Sequence, residues 1–251
     1  MVDRRVVGLP LEQVIGWAEF CGLRIAVDPD VFVPRRRTEF LVRQALLVRG
    51  GDPTGSPRSW GEAFPPKPPR PPRPPRRGAC PHDVVVDLCC GAGAIGAALA
   101  ASVSRLEVHA VDIDPAAVYC ARRNLEGFGG LAYLGDLFDP LPAALRGRVA
   151  LIVANVPYVP SHEIRLLPAE ARVHEPRVAL DGGPDGLDVL RRVTAGARDW
   201  LVPGGHLLIE TSERQVKPAT AAFEASGLAV RVESSDDLNA TVVIGTSAAA
   251  S

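Results

Sequence analysis

Residues 155–158 read Asn-Val-Pro-Tyr and directly follow an apolar run, Val149-Ala150-Leu151-Ile152-Val153-Ala154, that reads as a buried strand. A strand ending this way brings an amide side chain, a free carbonyl and an aromatic face to one sheet edge. The side-chain oxygen of Asn155 and the carbonyl of Val156 can each accept one hydrogen of a planar NH2, while Tyr158 stacks on its plane. An amide nitrogen is a poor nucleophile, because its lone pair is delocalised into the carbonyl. Two acceptors on its hydrogens aim that lone pair and favour positive charge developing on nitrogen. Pro157 restricts Val156 to extended geometry and stiffens the turn. No general base stands within the motif, so positioning is expected to do most of the work. The chemistry suggested is methylation of an amide or amino nitrogen.

A second group lies upstream, in Asp87-Leu88-Cys89-Cys90-Gly91-Ala92-Gly93. Gly91, Gly93 and Gly96 form a G-x-G-x-x-G string, whose glycines let backbone N–H groups approach a ligand at a helix N-terminus. Helices of small residues also produce such strings by chance. Asp112 ends the next strand about twenty residues on, where a carboxylate can accept both ribose hydroxyls. Asp136, beside Leu137, stands where it can accept from an adenine amino group. For each Asp the alternative is a turn or cap residue. The loop suits NAD and S-adenosylmethionine almost equally. Asn155 to Tyr158 decide between them, since hydride transfer has no use for a pair of amide-clamping acceptors.

These groups need a scaffold. From residue 84 onward strand and helix patterns alternate, with strands expected at 84–88, 107–112, 131–134, 149–154 and 205–210. Helices are expected at 93–101, 114–124, 187–200 and 214–226. Asp114-Pro115 supplies an N-cap and a first-turn proline. Such alternation implies a parallel doubly wound sheet. The closing pair, 228–233 and 240–244, has no helix between its strands and adds one antiparallel strand. Ahead of this body, residues 1–49 read as an arm with a hairpin near 20–27 and an amphipathic helix at 38–48. An arm so short has no core of its own and must pack on the main domain. Residues 50–82 form a Pro/Arg-rich insert, expected to be a disordered linker. Its eight prolines between Pro65 and Pro75 align Lys67, Arg70 and Arg73 on a polyproline II edge. A partner binding that arm is the alternative. Residues 83–251 make up the catalytic domain.

Composition narrows the class. At 251 residues, 47% hydrophobic and 23% charged, the chain is ordinary for a soluble globular protein. Apolar stretches are too short to span a membrane and no signal peptide is visible, so a cytoplasmic protein is expected. Residues 1–82 hold 14 Lys/Arg against 8 Asp/Glu, and the remainder 14 against 21. The acidic body argues against nucleic acid as substrate. Five cysteines without a C-x-x-C pair argue against a disulfide framework or a metal site. Cys89 and Cys90 are either packing residues or a redox pair. Glu175 with Arg177 is expected to order the loop after the catalytic strand as a salt-bridged lid, and His162 and His174 lie in that loop.

Five stretches together resemble the protein-glutamine N5-methyltransferases of the HemK/PrmC type. They are residues 8–10 with 16–23, Val33-Pro34-Arg35-Arg36-Arg37-Thr38-Glu39, the loop at 87–93, Asn155 to Tyr158, and residues 174–187 with their Glu-Pro-Arg and Gly-Gly-Pro-Asp-Gly-Leu runs. The resemblance spans about 8–245, and the family's N-terminal helical domain has no counterpart in it. It implies a class I methyltransferase fold, Rossmann-like and α/β, with a seven-stranded doubly wound sheet. It also implies S-adenosyl-L-methionine as cofactor and the Gly-Gly-Gln loop of a peptide-chain release factor as substrate. The cofactor residues it implies are Cys89, Cys90, Gly91, Ala92, Gly93, Asp112, Asp136, Leu137 and Asn155, and the catalytic ones Asn155, Val156, Pro157 and Tyr158. The family usually has Gly at the position of Cys89, an aromatic residue at that of Leu137, and Pro at that of Val156. An N-methyltransferase for a nucleobase or a small-molecule amine, and a non-catalytic cofactor-binding adaptor using the proline-rich arm, are the competing readings.

Overall fold

The computed structural model describes residues 5–6, 8–50 and 83–249. The linker and arm-binding readings of the insert, with Trp60 and Cys80, lie outside those residues. The described chain runs α1 (Leu11–Ile15), β1 (Trp17–Phe20), β2 (Leu23–Ala26), α2 (Glu39–Val48), β3 (Asp83–Leu88), α3 (Ala94–Ser102), β4 (Leu106–Asp112) and α4 (Pro115–Glu126). It continues β5 (Leu131–Leu134), β6 (Val149–Ala154), α5 (Ala169–His174), α6 (Asp188–Ala197), β7 (Leu201–Thr211), α7 (Val216–Ala225), β8 (Ala229–Ser235) and β9 (Ala240–Thr246).

Seven strands form one sheet in the order β5-β4-β3-β6-β7-β9-β8. β9 runs antiparallel to both its neighbours, and the pairs from β5 to β7 are parallel. The antiparallel strand therefore lies one position in from the edge. β3, β6 and β9 are buried at nearly every residue because helices cover both sheet faces. One face buries α2, α3 and α4, and the other buries α6 and α7 with Trp200 and Phe223.

The front of the chain joins this core. β1 and β2 form an antiparallel hairpin that turns at Cys21-Gly22, and Phe20, Ile25, Val31 and Val33 are buried in the cluster that holds Val85 and Leu208. The Asn124 side chain of α4 donates to the Ala26 carbonyl and accepts from the Ala26 N–H, both at 2.9 Å, clamping the hairpin to the domain.

Two elements differ from expectation. The strand expected from residue 205 begins at Leu201, and Pro203-Gly204-Gly205 falls inside it, where the β6–β7 register shifts. Gly204 takes φ +77°, so the sequence signal for a turn is used as an in-strand irregularity. The helix expected over 187–200 ends at Ala197, leaving Trp200 buried against Phe138 with centroids 5.7 Å apart. Among the described residues, no helix is long and apolar enough to cross a membrane.

Candidate active site

The sheet reverses its winding at β3. Strands β4 and β5 lie on one side, and β6 begins the other. Leu88, the last residue of β3, pairs with Ala154, the last of β6. The loop at 89–93 and the turn at 155–158 therefore leave the sheet side by side, at the crevice where open α/β sheets bind ligands. They share a cavity of about 940 Å³, lined by Cys89 to Ala92, Asp112, Asp136, Leu137 and Asn155 to Tyr158. Arg35, Arg37 and Thr38 from the N-terminal arm close one side of it.

Three alternate residues, Cys89, Gly91 and Gly93, take positive φ and shape the loop. Cys89 adopts φ +54° and Gly91 φ +52°, both left-handed, so Cys89 holds a conformation that glycine adopts without steric cost. Gly91 has open space where a Cβ would stand. Gly93, expected among the cofactor contacts, is absent from the cavity lining. It precedes α3 at φ +75°, and an added Cβ would lie 3.0 Å from the Cβ of Ala121, so it sets the loop's path against α4. Asp112 braces the same loop: its carboxylate accepts from the Gly91 N–H at 2.8 Å and the Asp114 N–H at 3.0 Å. Burial raises the Asp112 pKa and those two N–H groups pull it back. Each carboxylate oxygen keeps further acceptor capacity for a hydroxyl. Asp136 stands at the rim, where Arg192 holds it at 2.6 Å, and Leu137 follows at φ +47°, buried. Burial pushes the Cys89 and Cys90 thiols well above their usual pKa, which suits packing and not redox or nucleophilic use. Both are free thiols.

Beneath the loop, Asp87 is fully buried and accepts from the Gly96 N–H at 2.9 Å, while its Oδ1 has no hydrogen-bond partner among the described residues. Burial raises its pKa from 3.8 to about 7. The folded-state value lies above the unfolded one, so the folded protein holds this proton more tightly. Stability is then greatest below the unfolded pKa and is lost as pH rises through the folded one. The thermal midpoint of the ligand-free protein is expected to fall as pH rises from about 4 to about 7, and Asp87→Asn to remove most of that fall. Parallel melting curves for both proteins would expose the error if the slopes matched.

The turn itself is held on every side. Asn155 Nδ2 donates to the Thr38 hydroxyl at 3.2 Å, which leaves Oδ1 without a partner among the described residues. The Tyr158 hydroxyl accepts from Arg37, whose guanidinium lies 5.5 Å from the ring centroid. Arg37 Nε also donates to Glu210, a buried carboxylate near the end of β7, at 3.0 Å. The Tyr158 carbonyl accepts from Gln215 Nε2 at 2.9 Å, and that nitrogen also reaches the carbonyls of Asp185 and Gly186. Glycines let the chain of 182–187 lie backbone to backbone on the turn. A Cβ at Gly182 would lie 2.7 Å from the Pro157 carbonyl oxygen, and one at Gly186 would lie 2.3 Å from that of Tyr158.

The expected Glu175–Arg177 pair does not form. Glu175 is buried and paired with Arg35 at 2.6 Å, whereas Arg177 pairs with Asp181 at 2.9 Å. A carboxylate facing the interior takes the cation that the arm delivers, and Arg177, near the surface, finds its i+4 neighbour. His162 is exposed at 3.8 Å from Glu163, and the His174 carbonyl accepts from Gln13. Glu210 and Gln215 carried no residue-level signal, since each acts across a long sequence separation, and Thr38 stood within the 33–39 stretch without a role assigned to it. Among the described residues, no cluster of metal-ligating side chains is present.

Residues 78–183 match the Methyltransferase small domain family. The chain is 36% identical over 230 residues to a release factor glutamine methyltransferase of Geobacter sulfurreducens, covering 90% of this chain and 69% of that one. A second, from Streptomyces coelicolor, is 37% identical over 216 residues, covering 86% and 67%. A 4-amino-L-phenylalanine/4-methylamino-L-phenylalanine methyltransferase of Streptomyces pristinaespiralis is 35% identical over 231 residues, covering 90% and 69%. Among solved structures, a ribosomal protein L11 methylase from Lactobacillus delbrueckii superposes with a TM-score of 0.52 at 14% identity, over 89% of this chain and 85% of that one. That likeness supports the class I methyltransferase fold described above. With the sheet order, the paired loops and this identity taken together, the chain belongs to the release factor glutamine methyltransferase family.

Proposed function

We propose that the protein methylates the side-chain amide nitrogen of a glutamine, with the Gly-Gly-Gln loop of a peptide-chain release factor as its protein substrate. One observation carries this reading: the Asn155–Tyr158 turn and the glycine loop after β3 open into a single cavity. The methyl donor is S-adenosyl-L-methionine, which when bound supplies an electrophilic methyl group on a positively charged sulfur. The backbone of Cys89 to Ala92, with Asp112, Asp136 and Leu137, would hold it, and this donor set suits its polar parts. Gly91 leaves space for close approach, Asp112 retains lone pairs for ribose hydroxyls, and Asp136 retains one oxygen free of Arg192.

The chain's own residues do the positioning. Asn155 Oδ1 and the Val156 carbonyl accept the two N–H groups of the substrate amide. Pro157 fixes the turn, and Tyr158, held by Arg37 and Gln215, packs on the amide plane and excludes water. As nitrogen gains positive charge, both acceptors hold it more strongly, so the interaction favours the transition state over the ground state. The reading is tested by incubating the protein with radiolabelled methyl donor and purified release factor, then mapping the labelled residue by mass spectrometry. Label on the glutamine of the Gly-Gly-Gln loop is the expected result. Its absence there, with label on 4-amino-L-phenylalanine instead, would establish the second reading, a small-molecule amine substrate, which the Streptomyces pristinaespiralis relative favours.

A further inference from the structure

Clamping the two N–H groups of an amide orients its nitrogen, but it leaves the rest of the residue that carries the amide unheld. Arg35 stands where a second anchor can act. It lines the same cavity and lies three residues before Thr38, whose hydroxyl holds Asn155 Nδ2 at 3.2 Å. Three residues of chain span at most about 11 Å. The guanidinium is fixed from two directions. Its Nη2 donates to both oxygens of Glu175 at 2.6 Å, and its central carbon lies 4.9 Å from the Phe32 ring centroid. Glu175 is itself locked in place, since its side chain is 1% exposed and accepts from the Val33 N–H at 3.4 Å. A guanidinium carries five N–H groups in a rigid fork. Nη2 supplies two of them to Glu175, and the Nε and Nη1 groups have no partner among the described residues. Donors of fixed direction therefore remain on a residue that lines the cavity beside Phe20, Phe32 and Pro34.

The oxygen of the reacting amide is the wrong target for this cation. A positive charge there would draw the nitrogen lone pair into the carbonyl and weaken the nucleophile. The other oxygen of a glutamine residue is its main-chain carbonyl, on the α-carbon and two methylenes from the amide carbon. We propose that Arg35 anchors the substrate by donating from its free N–H groups to the oxygen on the α-carbon of the residue being methylated. In a protein substrate that oxygen is the glutamine main-chain carbonyl, and in a free amino acid it is the carboxylate. The inference rests on the glutamine reading for the first of these, but the contact itself can be measured without turnover.

The test uses the full chain with two variants, Arg35→Lys and Arg36→Lys, and two measurements. The first is steady-state methylation of the release factor. Arg35→Lys keeps a charge opposite Glu175 and loses the fork. It is expected to raise KM for the release factor about tenfold, the worth of one hydrogen bond from a charged group, with kcat and donor Kd near wild type. Arg36, exposed and outside the cavity lining, is the control and should change neither. Hydrogen exchange of residues 164–179 is followed in the same proteins, because a merely structural Arg35–Glu175 pair would loosen that segment when altered. Unchanged KM in Arg35→Lys, or a rise matched by faster exchange there, overturns the anchor. The second measurement is the NMR resonance of the Arg35 Nε–H. It is expected to move on adding a Gly-Gly-Gln peptide and to stay in place with S-adenosyl-L-methionine alone. If no glutamine is labelled, but 4-amino-L-phenylalanine moves the resonance and its decarboxylated analogue does not, the glutamine reading fails and the anchor stands. A resonance that neither the peptide nor the amino acid moves overturns the anchor.

Discussion

Asn155→Ala is expected to lower kcat for glutamine methylation by about a hundredfold to a thousandfold, the effect of deleting one preorganised group at a developing charge. The side chain lies at the mouth of β6 and lines the cavity that also holds Cys89 to Ala92 and Asp112. Removing it leaves one acceptor, the Val156 carbonyl, for two N–H groups. The substrate amide is then free to rotate, and positive charge on nitrogen loses half its support. Donor affinity is expected to change little, because the loop amides and Asp112 remain. Calorimetric titration with S-adenosyl-L-methionine and single-turnover methylation separate the two effects. Turnover retained near the wild-type rate would remove Asn155 from the chemistry, and a loss of donor binding equal to the loss of rate would make it a cofactor residue only.

Gly186→Ala is expected to be the most damaging small substitution near the site. At φ +78° any side chain carries a left-handed penalty, and here the added Cβ would lie 2.3 Å from the Tyr158 carbonyl oxygen and 2.4 Å from Gln215 Nε2. Neither neighbour moves freely, since each is hydrogen-bonded to the other at 2.9 Å. Left-handed strain and overpacking together should cost about 3 kcal/mol and lower the midpoint by roughly 10 °C. Activity should fall beyond the loss of folded protein, because the displaced group is the backbone of Tyr158. Gly204→Ala is the matched control: its φ is +77°, but nothing lies within 4 Å of the added Cβ. It should show the backbone penalty alone, about 1 kcal/mol. Equal destabilisation in the two variants, measured by denaturant titration, would refute the backbone-contact account of the 182–187 segment.

The sequence by itself determined most of the scaffold, because its signals are local and short in period. β5 and β6 occupy the expected residues, α4 starts after Asp114, whose side chain accepts from the Ala116 N–H at 2.9 Å, and the strand–helix alternation produces the parallel core. The turn at 155–158 and the loop at 89–92 were also legible, since each is a strand end with an unusual composition. Their nearness was not legible. It follows from Leu88 pairing with Ala154, a register that depends on where all seven strands sit.

Tertiary structure alone decided what holds the turn. Thr38 and Arg37 arrive from the arm, Glu210 from β7, and Gln215 from the segment before α7, each more than fifty residues away in the chain. It also decided that Glu175 takes Arg35 in place of Arg177, and that the Pro-Gly-Gly run near 204 lies inside a strand. A buried polar atom takes whichever partner the packed chain delivers within hydrogen-bond reach, since leaving it unmade is costly. Periodicity and capping reveal which residues turn inward, but the partner of an inward-facing charge is a property of distance in space, on which neighbouring residues carry no information.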